Sequence, residues 1–155
     1  MVQVTKEDKQ MSRQYDSKMH SAEHLLNQAM VRVIGCDRCF SAHINRKKSK
    51  CDYHFDRSLS TLEVTQIEGE VNRLIEQNYP VVIEQVSRDV AQKEFILSRV
   101  PEQKNLSEFR VVRMGDYDAC LCSGPHVQFT GEIGIFAISS STYENNVLRI
   151  RFKLS

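Results

Sequence analysis

The chain has 155 residues, 21 basic against 20 acidic side chains and a formal net charge of +1, with 41% hydrophobic and 8% aromatic residues and no Trp. That length suits one domain with a real core, and the balanced charge excludes a protein that holds a polyanion by global electrostatics, so any nucleic-acid contact must come from a local patch. No apolar run approaches the ~18–20 residues of a membrane span, and the N-terminal Met1–Lys9 stretch is too polar for a signal peptide, which predicts a cytoplasmic protein with no membrane partner.

Residues 1–15 are polar and read as a loose arm of the single domain, 1–155. From Asp16 or Ser17, as N-cap, the apolar positions Met19, Ala22, Leu25, Leu26, Ala29, Met30, Val33 and Ile34 follow helical spacing up to Gly35. Two short strands are predicted at roughly 39–46 and 50–56, with Cys51, Tyr53 and Phe55 on one face and Asp52, His54 and Asp56 on the other. A second helix starts at Ser60 or Thr61, with Glu63 as capping-box partner and Leu62, Ile67, Val71, Leu74 and Ile75 as its stripe, and ends near Asn78 before Tyr79-Pro80. Val81–Val86 reads as a strand, 88–97 as a short helix, and Pro101 opens a polar loop. Strands at Arg110–Met114, Ile133–Ser139 and Val147–Leu154 complete the sheet. The class is α+β: a single two-layer domain, mostly antiparallel sheet with the helices packed on one face.

Two stretches carry chemistry. On a helix His20 and His24, four apart in Met19-His-Ser-Ala-Glu-His24, stack on one face and aim two imidazoles at one point. Far downstream, Cys122-Ser-Gly-Pro-His126 places a thiol and an imidazole around a turn tripeptide. Together they form a Cys/His set suited to tetrahedral zinc.

Around these stretches the chain resembles the editing domain of alanyl-tRNA synthetase and its free-standing AlaX-type relatives. The resemblance rests on His20-Ser-Ala-Glu-His24-Leu-Leu, Val71-Asn-Arg-Leu-Ile75, Arg110-Val-Val-Arg-Met-Gly-Asp116-Tyr117 leading into Leu121-Cys-Ser-Gly-Pro-His126-Val127, and Thr130-Gly-Glu-Ile-Gly134. Order and spacing match from about residue 15 to the C-terminus, and the length leaves no room for an aminoacylation domain. The resemblance implies a zinc-dependent trans-editing hydrolase that removes serine, and glycine, from mischarged alanine tRNA. It puts the metal ligands, and with them the catalytic centre, at His20, His24, Cys122 and His126. Four protein ligands are the closed set of structural zinc, whereas catalytic zinc usually keeps a position open. Catalysis therefore asks for a loosely held ligand or a fifth coordination.

The chain departs from the family pattern at its specificity elements. A family glutamine that contacts substrate aligns with Phe40, close to His43, and a family threonine becomes Pro125, so Phe40, His43 and Pro125 are the candidate substrate pocket. These departures support a competing reading, a non-catalytic, zinc-stabilised relic that binds RNA or protein. His20-x-x-Glu23-His24 also fits an inverted zinc-peptidase motif with Glu23 as base, but such peptidases are much larger and leave Cys122 and His126 unexplained. Glu23 otherwise reads as a solvated helix carboxylate.

RNA contact falls to Arg46, Lys47, Lys48 and Lys50 in a basic hairpin and to Arg149 and Arg151 on one face of the last strand. The low aromatic content favours reading of the tRNA backbone over base stacking. Five cysteines without an export signal read as reduced thiols. Among them Cys36-x-x-Cys39 is a redox or metal motif without a matching second pair.

Overall fold

The computed structural model describes residues 16–97 and 107–155; the arm expected over residues 1–15 and the loop expected from Pro101 lie outside them. Asp16 caps helix α1, Ser17–Ala29, by accepting the Met19 N–H at 3.1 Å. The helix widens into a π-type turn over Met30–Ile34 and stops where Gly35, at φ 84°, donates its N–H to Met30 O at 3.0 Å. Ser60 and Glu63 form the predicted capping box of helix α2, Thr61–Glu76, with backbone-to-side-chain bonds of 3.0 and 3.1 Å. Ile67, Val71, Leu74 and Ile75 form its buried stripe, but Leu62, in the first turn, is 66% exposed. Helix α3 is shorter than expected, Arg88–Glu94.

The strands are β1 (Ser41–His43), β2 (Ser49–His54), β3 (Val81–Ser87), β4 (Glu108–Met114), β5 (Asp118–Leu121), β6 (Phe136–Glu144) and β7 (Val147–Leu154). The α+β class and antiparallel pairing hold, but the strands divide into two sheets, ordered β1-β2-β7-β6 and β3-β4-β5. Asn145 and Asn146, both at positive φ, close the β6–β7 hairpin with the twist such turns favour.

Alternation along β7 explains the main core: Leu148, Ile150 and Phe152 are buried together with Cys51 and Tyr53 of the neighbouring β2. Against them pack Met19, Ala22, Leu25 and Leu26 of α1, the stripe of α2, and Val112 and Met114 of β4. The other face of β4 points Phe109 and Val111 into a second cluster with Leu121 and Ala91 of α3. Helices therefore cover both faces of the three-stranded sheet, rather than one. Because α1 shares its core with β2 and β7 and also meets α2 and β5, it is buried on more than its apolar stripe; His20, Ser21, His24 and Asn27 are inside as well. No helix among the described residues is long and apolar enough to cross a membrane.

Candidate metal centre

α1 presents His20 and His24 one turn apart, and the chain leaving β5 brings Cys122 and then His126 against them. The turn between is held from the adjacent strand: Arg110 of β4 donates through Nη1 to the carbonyls of Cys122 (2.6 Å) and Gly124 (2.8 Å). Gly124 is there because a side chain would not fit. A Cβ at that position would stand 2.3 Å from Cε1 of His20, so a glycine lets the turn close on the imidazole.

A hydrogen bond fixes the orientation of the His20 ring. His20 Nδ1 lies 3.0 Å from the Pro125 carbonyl, which can only accept, so in the neutral ring the proton sits on Nδ1 and the Nε2 lone pair points away from it. Nε2 then lies 3.4 Å from Cys122 Sγ. Ser21 Oγ accepts the Val127 N–H at 3.1 Å and stands 2.9 Å from His126 Nδ1, while His126 Nε2 is buried with no hydrogen-bond partner. His24 Nδ1 is likewise buried without a hydrogen bond, 3.7 Å from Asp118 Oδ2.

The three imidazoles crowd together, with ring centroids 4.2 to 5.0 Å apart. Burial pushes His20 down to about 4 and His126 down to about 3, and holds His24 well below the ordinary imidazole value. Neutral rings are what a cation requires of histidine. One donor atom from each of His20, His24, Cys122 and His126 lies within 4.8 Å of the others. Zinc–ligand bonds of ~2.0–2.3 Å bring tetrahedral donors to roughly 3.3–3.8 Å apart, so the four residues fit zinc.

Several groups around this set carry little sequence signal. Asp118, buried at the start of β5, takes the Arg38 guanidinium at 2.7 and 3.5 Å and stands behind His24, in the place where metal-binding histidines often keep a carboxylate. Burial raises the Asp118 carboxyl against the opposing pull of Arg38. Glu23 is not solvated: its side chain is 13% exposed and Oε2 lies 3.5 Å from His20 Nε2. Burial pushes its carboxyl up to about 7. Nothing local in the sequence marks Asp118 or Glu23 as buried.

A cleft of about 630 Å³ opens over His20, Glu23, His24 and Cys122 and is walled on the far side by Phe40, His54, Phe95 and Ile96. The Phe40 ring stacks on that of His54 at 3.8 Å. Of the proposed pocket residues, Phe40 lines the cleft, but His43 and Pro125 do not. His43 is exposed on β1 opposite Lys50, and Pro125 serves through its carbonyl. Arg46, Lys47 and Lys48 are exposed between β1 and β2, and Lys50 pairs in register with Arg151. Arg149, by contrast, is engaged with Asp52 at 2.7 and 2.9 Å.

Residues 109–151, from β4 through most of β7, match the family described as threonyl and alanyl tRNA synthetase second additional domain. This part of the chain is similar to that domain. Beyond that segment, it is 35% identical over 124 residues to the alanine–tRNA ligase of Francisella philomiragia subsp. philomiragia, covering 79% of this chain. It is 37% identical over 128 residues to that of Francisella tularensis subsp. novicida, covering 78% of this chain. In both cases the chain spans 14% of the length of the ligase. The resemblance to the alanyl-tRNA synthetase editing domain, read from the histidine and Cys-x-x-x-His stretches, stands on these matches. The matched segment supplies Arg110, Asp118, Cys122, Gly124 and His126, while α1, outside it, supplies the other half of the site.

Proposed function

We propose that this domain is a zinc-dependent deacylase that hydrolyses the ester of a wrongly attached amino acid, serine or glycine, on alanine tRNA. The observation that carries the reading is the convergence of three neutral imidazoles and the Cys122 sulfur beside a cleft that reaches His20, His24 and Cys122. Bound zinc would supply Lewis-acid polarisation of the ester carbonyl. The protein's own residues supply the rest. Ser21 and the Pro125 carbonyl orient His126 and His20, and Arg110 fixes the turn that bears Cys122. The cleft reaches His20, His24 and Cys122 but not His126, so substrate would approach from the Cys122 side. Glu23 borders the same space with a carboxyl near neutrality, placed to hold or pass a proton at Oε2. Phe40, Phe95 and Ile96 present an apolar wall that limits water around the ester. The exposed Lys47 and Lys48, with Lys50 and Arg151 on the sheet, are suited to tRNA phosphates.

The test is incubation of the zinc-loaded protein with serine-, glycine- and alanine-charged alanine tRNA. Serine and glycine should be released faster than alanine, and a His20→Ala, His24→Ala double variant should release none. A zinc-loaded protein that leaves all three esters intact would favour the non-catalytic binding module.

A further inference from the structure

The Cys36-x-x-Cys39 pair does not close on itself. Cys36 Sγ turns back to the Met30 carbonyl at 3.8 Å, whereas Cys39 Sγ points to Glu23 Oε1 at 3.7 Å. The sulfurs of Cys39 and Cys51 and a carboxylate oxygen of Glu23 all lie within 4.8 Å of one another. The three come from separate elements: α1, the segment before β1, and β2. None belongs to the His/Cys set described above.

An ordinary buried carboxyl group is met by close donors. Glu23 has instead a long bond from Asn27 Nδ2, 3.4 Å, and the Cys39 thiol. Asn27 cannot turn to improve it, because its Oδ1 already accepts from the Cys39 N–H at 3.1 Å and the Tyr53 O–H at 2.8 Å. The other Glu23 oxygen lies 3.5 Å from His20 Nε2, the nitrogen that also meets Cys122 Sγ. Glu23 Oε1 thus accepts only long bonds, from Asn27 and from the Cys39 thiol, and a cation in place of the thiol proton would give it a closer partner.

We propose that Glu23, through Oε1, Cys39 and Cys51 form a second cation site for a thiophilic divalent ion of the zinc class. Two thiolates and one carboxylate are a donor set for such an ion rather than for magnesium or calcium. Three protein ligands leave one position for solvent, and Glu23 and Cys39 both border the cleft, which gives the ion an entry path. Cys51, wholly buried, closes the site from the core side. Each thiol gives its proton to solvent as the sulfur takes the metal.

Cadmium titration of the reduced, metal-free protein tests this, with bound ions counted by native mass spectrometry and thiolate-to-metal charge-transfer absorbance followed in parallel. The wild type should take two cadmium ions per chain. Cys39→Ser and Glu23→Gln should each take one with high affinity, and Cys122→Ala with His126→Ala should spare the Cys39/Cys51 band. Cys39 is half-buried and Gln keeps the shape of Glu, so both variants should retain the native far-UV circular dichroism even if Cys51→Ser does not. A wild type that binds a single ion, or Cys39→Ser and Glu23→Gln variants that still bind two tightly, would overturn the proposal. The readout does not depend on deacylation, so a second site could fail while the proposed activity stands, and the reverse.

Discussion

Ser21 Oγ and His126 Nδ1 lie 2.9 Å apart although 105 positions separate them in sequence. The same oxygen takes the Val127 N–H, so one hydroxyl of α1 fixes both the backbone and the ring of the distant ligand. With Nδ1 engaged, Nε2 is the nitrogen left for a metal.

Ser21→Ala should therefore weaken zinc binding by about 10- to 100-fold, the usual cost of losing a group that orients a metal-binding histidine. It also leaves the buried Val127 N–H without its acceptor, at about 1–3 kcal/mol of stability. Competition with a chromogenic chelator measures the first effect and urea denaturation the second; unchanged chelator competition would show that Ser21 does not set the ring.

Gly124→Ala places a methyl group where His20 Cε1 already is. Either the ring or the turn must move, so zinc content should fall sharply while the helices persist by circular dichroism. A variant with full zinc occupancy would mean that the turn can shift without disturbing Cys122.

Lys47→Ala combined with Lys48→Ala should lower the salt slope of tRNA affinity by about 2, about one for each phosphate that no longer meets a lysine. Arg149→Ala should barely change that slope, because its guanidinium is committed to Asp52. Its effect belongs on acid stability. Hydrogen bonding from Arg149 holds the Asp52 carboxyl below its ordinary value of 3.8, so the pair contributes stability above that value and loses it as pH falls through the lowered one. Arg149→Ala should flatten the acid limb of stability, read by denaturation between pH 5 and pH 2 in about half-unit steps.

Phe40→Gln should change which amino acid is removed more than it changes zinc binding, since Phe40 lines the cleft but offers no ligand atom. A restored amide that pairs with a polar substrate group is worth ~1 kcal/mol to a few, or about five- to hundred-fold in relative rate. Identical serine, glycine and alanine selectivity in both proteins would place position 40 away from the substrate.

Much of this structure is legible in local pattern. Ser60 and Glu63 announce α2 because a capping box is a four-residue event, and the alternation of Leu148 to Lys153 marks β7 with one core face. The His20/His24 pair is legible for the same reason, being one turn of helix. What escapes is set by tertiary pairing. Strand β5 has four residues and no clean alternation, so it is visible only through its register with β4. Arg149 looks like a phosphate ligand until β2 and β7 are paired and Asp52 faces it. Glu23 reads as solvated because helical spacing identifies one apolar stripe, whereas α1 is wrapped by both sheets. Gly124 has no positive φ to betray it; its requirement is the imidazole of a helix about 100 positions away.

The distance in sequence between His20 and Cys122, 102 positions, also sets when the centre can exist. As the chain leaves the ribosome, α1 can coil from its own Asp16 cap and its local hydrogen bonds, yet it carries only half a ligand set. Closing a loop of that length costs about 4 kcal/mol in chain entropy, and packing must supply it before His20 meets the sulfur. Nascent chains that stop short of residue 126 would hold cations no better than an isolated two-histidine helix, so the centre forms only once both halves of its ligand set have been made.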